Sequence, residues 1–175
     1  MTLNRQTLRP MEVRDIFFNA MHDGGWATEG PCSEKSKSRE MDPSELPPGH
    51  KGIEWKDGLW VVRDTWIQIS GNPYSGGSTT INYDDIPVWL MQYRGWYAKE
   101  VIDFLQGALA SNYRNGFFSA GRGPDSYSQG DLLYLNEIVR NDFADFECKE
   151  KVLHMPTATL KGYHNCSGLL LLPKC

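Results

Sequence analysis

The chain has 175 residues, with 18 Lys+Arg against 22 Asp+Glu for a net charge of -4, and 40% hydrophobic content. That is enough chain to bury a core without staples, and the composition excludes wholesale disorder and collagen-like repeats. The acidic balance argues against nucleic-acid binding through bulk charge, and no apolar run approaches the roughly 18 residues of a membrane-spanning helix.

Residues 1–9 are polar and are expected to fray. Pro10 opens a helical pattern in which Val13, Ile16, Phe17, Ala20 and Met21 form one apolar stripe, stopped by Gly24-Gly25. From Cys32 to about Lys51 the chain carries mixed charge, three prolines and few large apolar residues. It reads as a long surface loop, open to cleavage at Lys35, Lys37 or Arg39. Leu59 to Ile69, Thr79 to Tyr83 and Pro87 to Tyr93 read as strands, with turns at Gly71-Asn72-Pro73, Ser75-Gly76-Gly77-Ser78 and Asp84-Asp85. A second helix is expected from about Tyr97 to Tyr113, with Val101, Phe104, Leu105, Ala108 and Leu109 on its apolar stripe and Asn115-Gly116 at its end. A glycine-rich stretch, Phe117 to Gly130, precedes further strands at Asp131 to Val139, Lys149 to His154 and Thr159 to Tyr163.

The elements recur in one order: helix, glycine-rich loop, three strands. Glu29-Gly30-Pro31 answers Arg122-Gly123-Pro124, Ile81 answers Val152, and Tyr93 answers Tyr163. The expectation is an α+β fold of two pseudo-repeats, each a helix plus a three-stranded antiparallel sheet, packed into a single domain over residues 1–175. The first repeat spans 10–95 with a loop insertion at 32–51, and the second spans 96–170.

The second half resembles a bacterial domain family of unknown function, found alone or behind a Cro/repressor-type helix-turn-helix. The resemblance rests on VWLMQYRGWY (Val88 to Tyr97), AGRGP (Ala120 to Pro124), GDLLYLNE (Gly130 to Glu137) and NDFADFECKE (Asn141 to Glu150), and covers roughly Asn72 to Gly168. The chain departs at its end, where TATLKGYHNCSGLLLLPKC replaces the family's aromatic strand and Gly-Gly. The resemblance implies organisation rather than chemistry. At the level of architecture alone, the duplication is also similar to the GyrI-like effector-binding domains, in which two α+β halves clamp a small molecule.

Four cysteines, Cys32, Cys148, Cys166 and Cys175, form no CxxC pair; His164 and Cys166 lie two apart with no second pair, so no metal or other cofactor is expected. The N-terminal MTLNRQTLRP has no apolar h-region, and free thiols fit a cytoplasmic protein. There is no GxSxG, no phosphate loop, and the four histidines follow no triad order, so no catalytic residue is assigned.

Aromatic residues are abundant: Trp 6, Tyr 8, Phe 7. Trp60, Trp66, Trp89, Trp96, Tyr93 and Tyr134 fall in or beside the expected sheets, where they serve equally as core or as pocket walls. The carboxylates Glu137, Asp142, Asp145, Glu147 and Glu150 read mostly as a solvated turn. Glu137 stands apart, because alternation puts it on a face with Leu133 and Leu135; if that face is core, its carboxylate needs a partner. Arg122, between glycines, is placed to approach a ligand or to pair with a nearby carboxylate. The expected site is therefore Glu137, Trp89, Trp60, Tyr93, Tyr134 and Arg122, lining an aromatic pocket between the repeats. The expected partner is a small-molecule ligand, cationic or aromatic, bound by a non-catalytic sensory module that can form a homodimer and is expected to touch no membrane and to bind no nucleic acid directly. Alternatives are a small enzyme using Glu137 with a neighbouring carboxylate, or an accessory interaction protein of a regulator.

Overall fold

The computed structural model describes residues 8–28 and 37–172. Helix α1 spans Pro10–Gly24. Proline suits its first turn, and the Glu12 carboxylate accepts a hydrogen bond from the Arg9 amide at 2.8 Å. Its stripe Val13, Phe17, Ala20 and Met21 is buried. Strands β1 (Ser38–Glu40), β2 (His50–Asp57), β3 (Trp60–Gln68), β4 (Tyr74–Tyr83) and β5 (Ile86–Tyr97) follow as an antiparallel meander. Asp84 and Asp85 both take positive φ, the geometry of a two-residue hairpin turn between β4 and β5. Helix α2 spans Ile102–Asn115 and ends at Gly116, whose left-handed φ of 67° lets its amide bond the Asn112 carbonyl at 3.0 Å. A second meander, β6 (Ser126–Gln129), β7 (Leu132–Asp142), β8 (Asp145–His154) and β9 (Thr159–Leu170), completes the chain.

The expected pair of three-stranded repeats is corrected here. The strands form one nine-stranded sheet in the order β1-β2-β3-β4-β5-β9-β8-β7-β6. Two features account for the difference. The last strands of the two meanders, β5 and β9, pair directly from Trp89↔Leu170 to Tyr97↔Gly162, which fuses everything into one ladder. Strands also arise where none was expected: β1 and the start of β2 lie in the stretch read as a surface loop, and β6 lies in the glycine-rich stretch. Arg39 shows what holds the described part of that stretch, residues 37–51, in place. Its guanidinium donates to Glu45 at 2.7 Å and to Glu54 on β2 at 2.7 Å. Of the three cleavage sites expected there, Lys35 lies outside the described residues, as do Cys32 and Cys175. Ser75 to Ser78, expected as a turn, is part of β4.

Both helices pack on one face of the sheet and against each other, with the Phe17 and Tyr113 rings 6.0 Å apart. Alternation along each strand gives that face its residues. One cross-strand row runs Ile53, Asp64, Thr79, Met91, Gly168, Phe146, and the next runs Trp66, Gly77, Tyr93, Cys166, Cys148. A third runs Gln68, Ser75, Gly95, His164, Glu150, Asn136. These rows carry the site. Among the described residues, no helix is long and apolar enough to cross a membrane.

Candidate functional site

Between α1, α2 and the inner face of β3, β4, β5 and β9 lies a cavity of about 220 Å³. Its helix side is apolar: Met21 from α1, then Ile102, Leu105, Leu109 and the Tyr113 ring from α2. Trp26, just after α1, closes one side, its carbonyl bonded by the Gln106 side chain at 3.0 Å. Polar groups come mainly from the sheet side, with Asp64, Gln68, Ser75, Thr79 and His164; the loop after α2 adds Arg122, and α2 itself adds Gln106.

Two glycines make this convergence possible. Tyr93 on β5 reaches across β4 to Asp64 on β3, because Gly77 stands between them. A Cβ at residue 77 would lie 2.6 Å from the Tyr93 hydroxyl and 2.3 Å from the Thr65 carbonyl oxygen. His164 on β9 reaches across β5 to Ser75 on β4 in the same way, over Gly95, where a Cβ would fall 1.9 Å from the Tyr163 carbonyl oxygen. Each glycine is thus a slot for its neighbour's ring.

The polar groups form two connected units. In the first, Arg122 is buried against Glu150, whose side chain has no exposed surface. Its Nε and Nη2 donate to Oε2 at 3.2 and 2.7 Å, and its backbone amide donates to Oε1 at 3.1 Å. Burial opposes the charge on Arg122, but Glu150 beside it holds the guanidinium firmly protonated. Nη2 also lies 3.0 Å from His164 Nδ1. A guanidinium only donates, so Nδ1 is the acceptor and the ring's proton sits on Nε2, which faces the Ser75 hydroxyl at 3.2 Å. His164 is therefore neutral. Burial, reinforced by the Arg122 charge, pushes its pKa down to about 2.

The second unit is Asp64. Thr79 and Tyr93 donate to its Oδ1 at 3.0 and 2.8 Å. Among the described residues its Oδ2 accepts no hydrogen bond, and no cation forms a salt bridge with it. Burial raises the Asp64 pKa, against the lowering effects of Tyr93, Thr79 and the more distant Arg122 charge. Tyr93 joins the two units: its hydroxyl bonds Asp64, and the Arg122 guanidinium lies over its ring at 4.7 Å.

Of the six residues expected from sequence, Tyr93 and Arg122 line this cavity. Trp89 does not: it is wholly buried in the core, parallel to Phe143 at 5.0 Å, with its indole N–H donated to the Phe143 carbonyl at 3.1 Å. Trp60 packs on Tyr83 at 4.7 Å, away from the cavity. Tyr134 is buried under the loop after α2, where a Cβ on Gly123 would meet its hydroxyl. Glu137 requires a correction. The inward face of β7 is that of Tyr134 and Asn136, so the face of Leu133, Leu135 and Glu137 is the outer one. Glu137 is 52% exposed and paired with Lys151, which holds its carboxyl below the usual range.

Sequence reasoning left Asp64 unmentioned and set Glu150 and His164 aside, although alternation marks each. Asp64 lies between Val62 and Trp66, Glu150 between Cys148 and Val152, and His164 between Gly162 and Cys166. Glu150 belonged to the group read as a solvated turn; it is instead completely buried. Cys148, Glu150 and Cys166 bring one ligand atom each within 4.8 Å of one another, but Glu150 is committed to Arg122, so a metal there would have to displace the guanidinium.

A family model described as Domain of unknown function (DUF5680) matches residues 67–169, more than half of the chain. The chain belongs to that family. The DUF5680 region takes in β4 to β9, α2, and the site residues Tyr93, Arg122, Glu150 and His164; Asp64 lies three residues before it. No curated protein and no solved structure matches the chain.

Proposed function

We propose that this DUF5680 protein is a small-molecule-binding module whose ligand occupies the cavity between the two helices and the sheet. The observation that carries the reading is the division of the cavity wall. The helix side is apolar and aromatic apart from Gln106, while a few buried polar groups converge from the sheet side and from Arg122. Ligand sites are commonly built so: the apolar wall supplies affinity and a small polar set fixes orientation. The glycine slots at 77 and 95 support it, because they hold Tyr93 and His164 in fixed positions along the cavity floor.

The test is cavity filling. Indole, a small neutral aromatic, is titrated against the wild type and Leu109→Trp, with thermal shift and calorimetry as readouts. The reading expects saturable binding by the wild type and its loss in the filled variant. No binding by the wild type, or equal binding by both, overturns it.

A further inference from the structure

The buried charges of the site do not balance, and the imbalance names a ligand class. Glu150 and Arg122 cancel within one pair. His164 is neutral by its hydrogen-bond geometry, since Nδ1 receives the guanidinium donor. The other titratable groups lining the cavity are the phenols Tyr93 and Tyr97 on β5 and Tyr113 on α2, all neutral; α1 contributes no titratable group to the lining. Asp64 remains. It is 8% exposed, its Oδ1 is saturated by two hydroxyl donors, and its Oδ2 has no donor among the described residues. A carboxylate oxygen left without a protein donor at a cavity wall favours an external hydrogen-bond donor there, and a cationic donor most, since it also offsets the charge.

Three further observations restrict the occupant. The cavity's 220 Å³ is about the share of seven liquid waters, too much for a bare inorganic ion to fill. Trp26, Trp66 and Tyr113 offer aromatic surface to a cation's body. An anion is disfavoured, because the Arg122 charge is already offset by Glu150 and Asp64 would repel it.

Building on the cavity as a ligand site, we infer that its ligand is an organic monocation, an amine or amidine carried on an apolar or aromatic body, whose N–H donates to Asp64 Oδ2. Because proton and ligand compete for the same oxygen, cation binding displaces the proton from whatever fraction of Asp64 is protonated.

The test uses the full chain, with 2-phenylethylammonium and its neutral counterpart 2-phenylethanol as probes, and wild type, Asp64→Asn and Leu109→Trp as proteins. Asparagine keeps an oxygen for Tyr93 and Thr79, so the variant should fold; circular dichroism checks this. Calorimetry should show the wild type binding the ammonium about 10- to 100-fold more tightly than the alcohol, the range for a hydrogen bond to a charged group. Asp64→Asn should erase that preference and leave alcohol binding in place. Titrations in two buffers of different ionisation enthalpy, at mildly acidic pH, should show proton release by the wild type and none by the variant. Equal affinities for the two probes, or a preference that survives in Asp64→Asn, overturns this inference and leaves the cavity reading standing. Failure of both probes to bind the wild type, or undiminished binding by Leu109→Trp, overturns the cavity reading as well.

Discussion

Acidifying the protein should expose His164. In the folded state its ring is buried, Nδ1 accepts from Arg122, and its pKa is driven down to about 2. In the unfolded chain an ordinary histidine titrates near 6.5. A base with a depressed folded pKa is protonated first in the unfolded state, so stability is intact above pH 6.5 and falls as pH drops below it. At pH 5 the unfolded ring is about 1.5 units below its pKa while the folded ring still refuses the proton, a loss of about 2 kcal/mol. Asp64 works in the opposite sense. Its folded pKa is raised, so the folded state gains stability as pH falls through that value. Glu54 is buried, yet hydrogen bonds from Lys56, Arg63 and Arg39 hold its pKa low, so its contribution is lost only below about pH 4.5. The histidine effect is therefore read as a difference between the wild type and His164→Asn, whose amide oxygen can still accept from Arg122. Urea unfolding at pH 7, 6 and 5, followed by tryptophan fluorescence, should show the wild type losing about 2 kcal/mol more than the variant across that range. Parallel stability profiles would refute a neutral, buried His164.

Glu150→Gln leaves the Arg122 guanidinium buried without its counter-charge and should cost about 3–5 kcal/mol in chemical denaturation, much of it recovered in Glu150→Leu/Arg122→Met. Gly77→Ala places a methyl 2.6 Å from the Tyr93 hydroxyl; it should cost about 1–3 kcal/mol and weaken probe binding, since Tyr93 must leave Asp64. Glu137→Gln, on the exposed outer face, should change stability by less than about 0.5 kcal/mol and leave calorimetric binding of either probe unaltered.

The helices were legible because their signals are local. An apolar stripe, a proline at the start of α1 and glycines at both ends define them, and a helix closes its hydrogen bonds within itself. The sheet was not, because its closure is non-local. No property of RGWY at 94–97 or KGYH at 161–164 states that these segments pair, yet that pairing turns two meanders into one sheet. Strand β2 was not anticipated. The expected loop ended at about Lys51 and no element was assigned to residues 52–57; Glu54 there is buried on the outer face beneath Arg39, Arg63 and Lys56, while Ile53 and Trp55 face inward. Glu137 shows a different limit. Alternation divides β7 into two faces without saying which is core, and the leucines suggested the wrong one. Tyr134 packs inward instead, with no exposed surface, while Leu133 and Leu135 remain half-buried.

Three buried carboxylates on this sheet differ in how fully the chain partners them. Glu54 is met by three cations, and Glu150 by a guanidinium bonded through two nitrogens. Each is a closed structural unit: desolvation is offset by partners built into the chain, and nothing further is needed. Asp64 lies in its row between Ile53 and Thr79 and receives only two hydroxyl donors on one oxygen. A leucine there would bury apolar area at no electrostatic cost, so packing alone does not explain the acid. Tyr93 and Thr79 nevertheless position it, and Gly77 is kept empty so that Tyr93 can do so. Giving up side-chain packing at one residue to hold a half-satisfied carboxylate at another fits the proposal that this carboxylate meets an external cation. The remaining oxygen, on the sheet wall of the cavity, is where the proposed cation would attach.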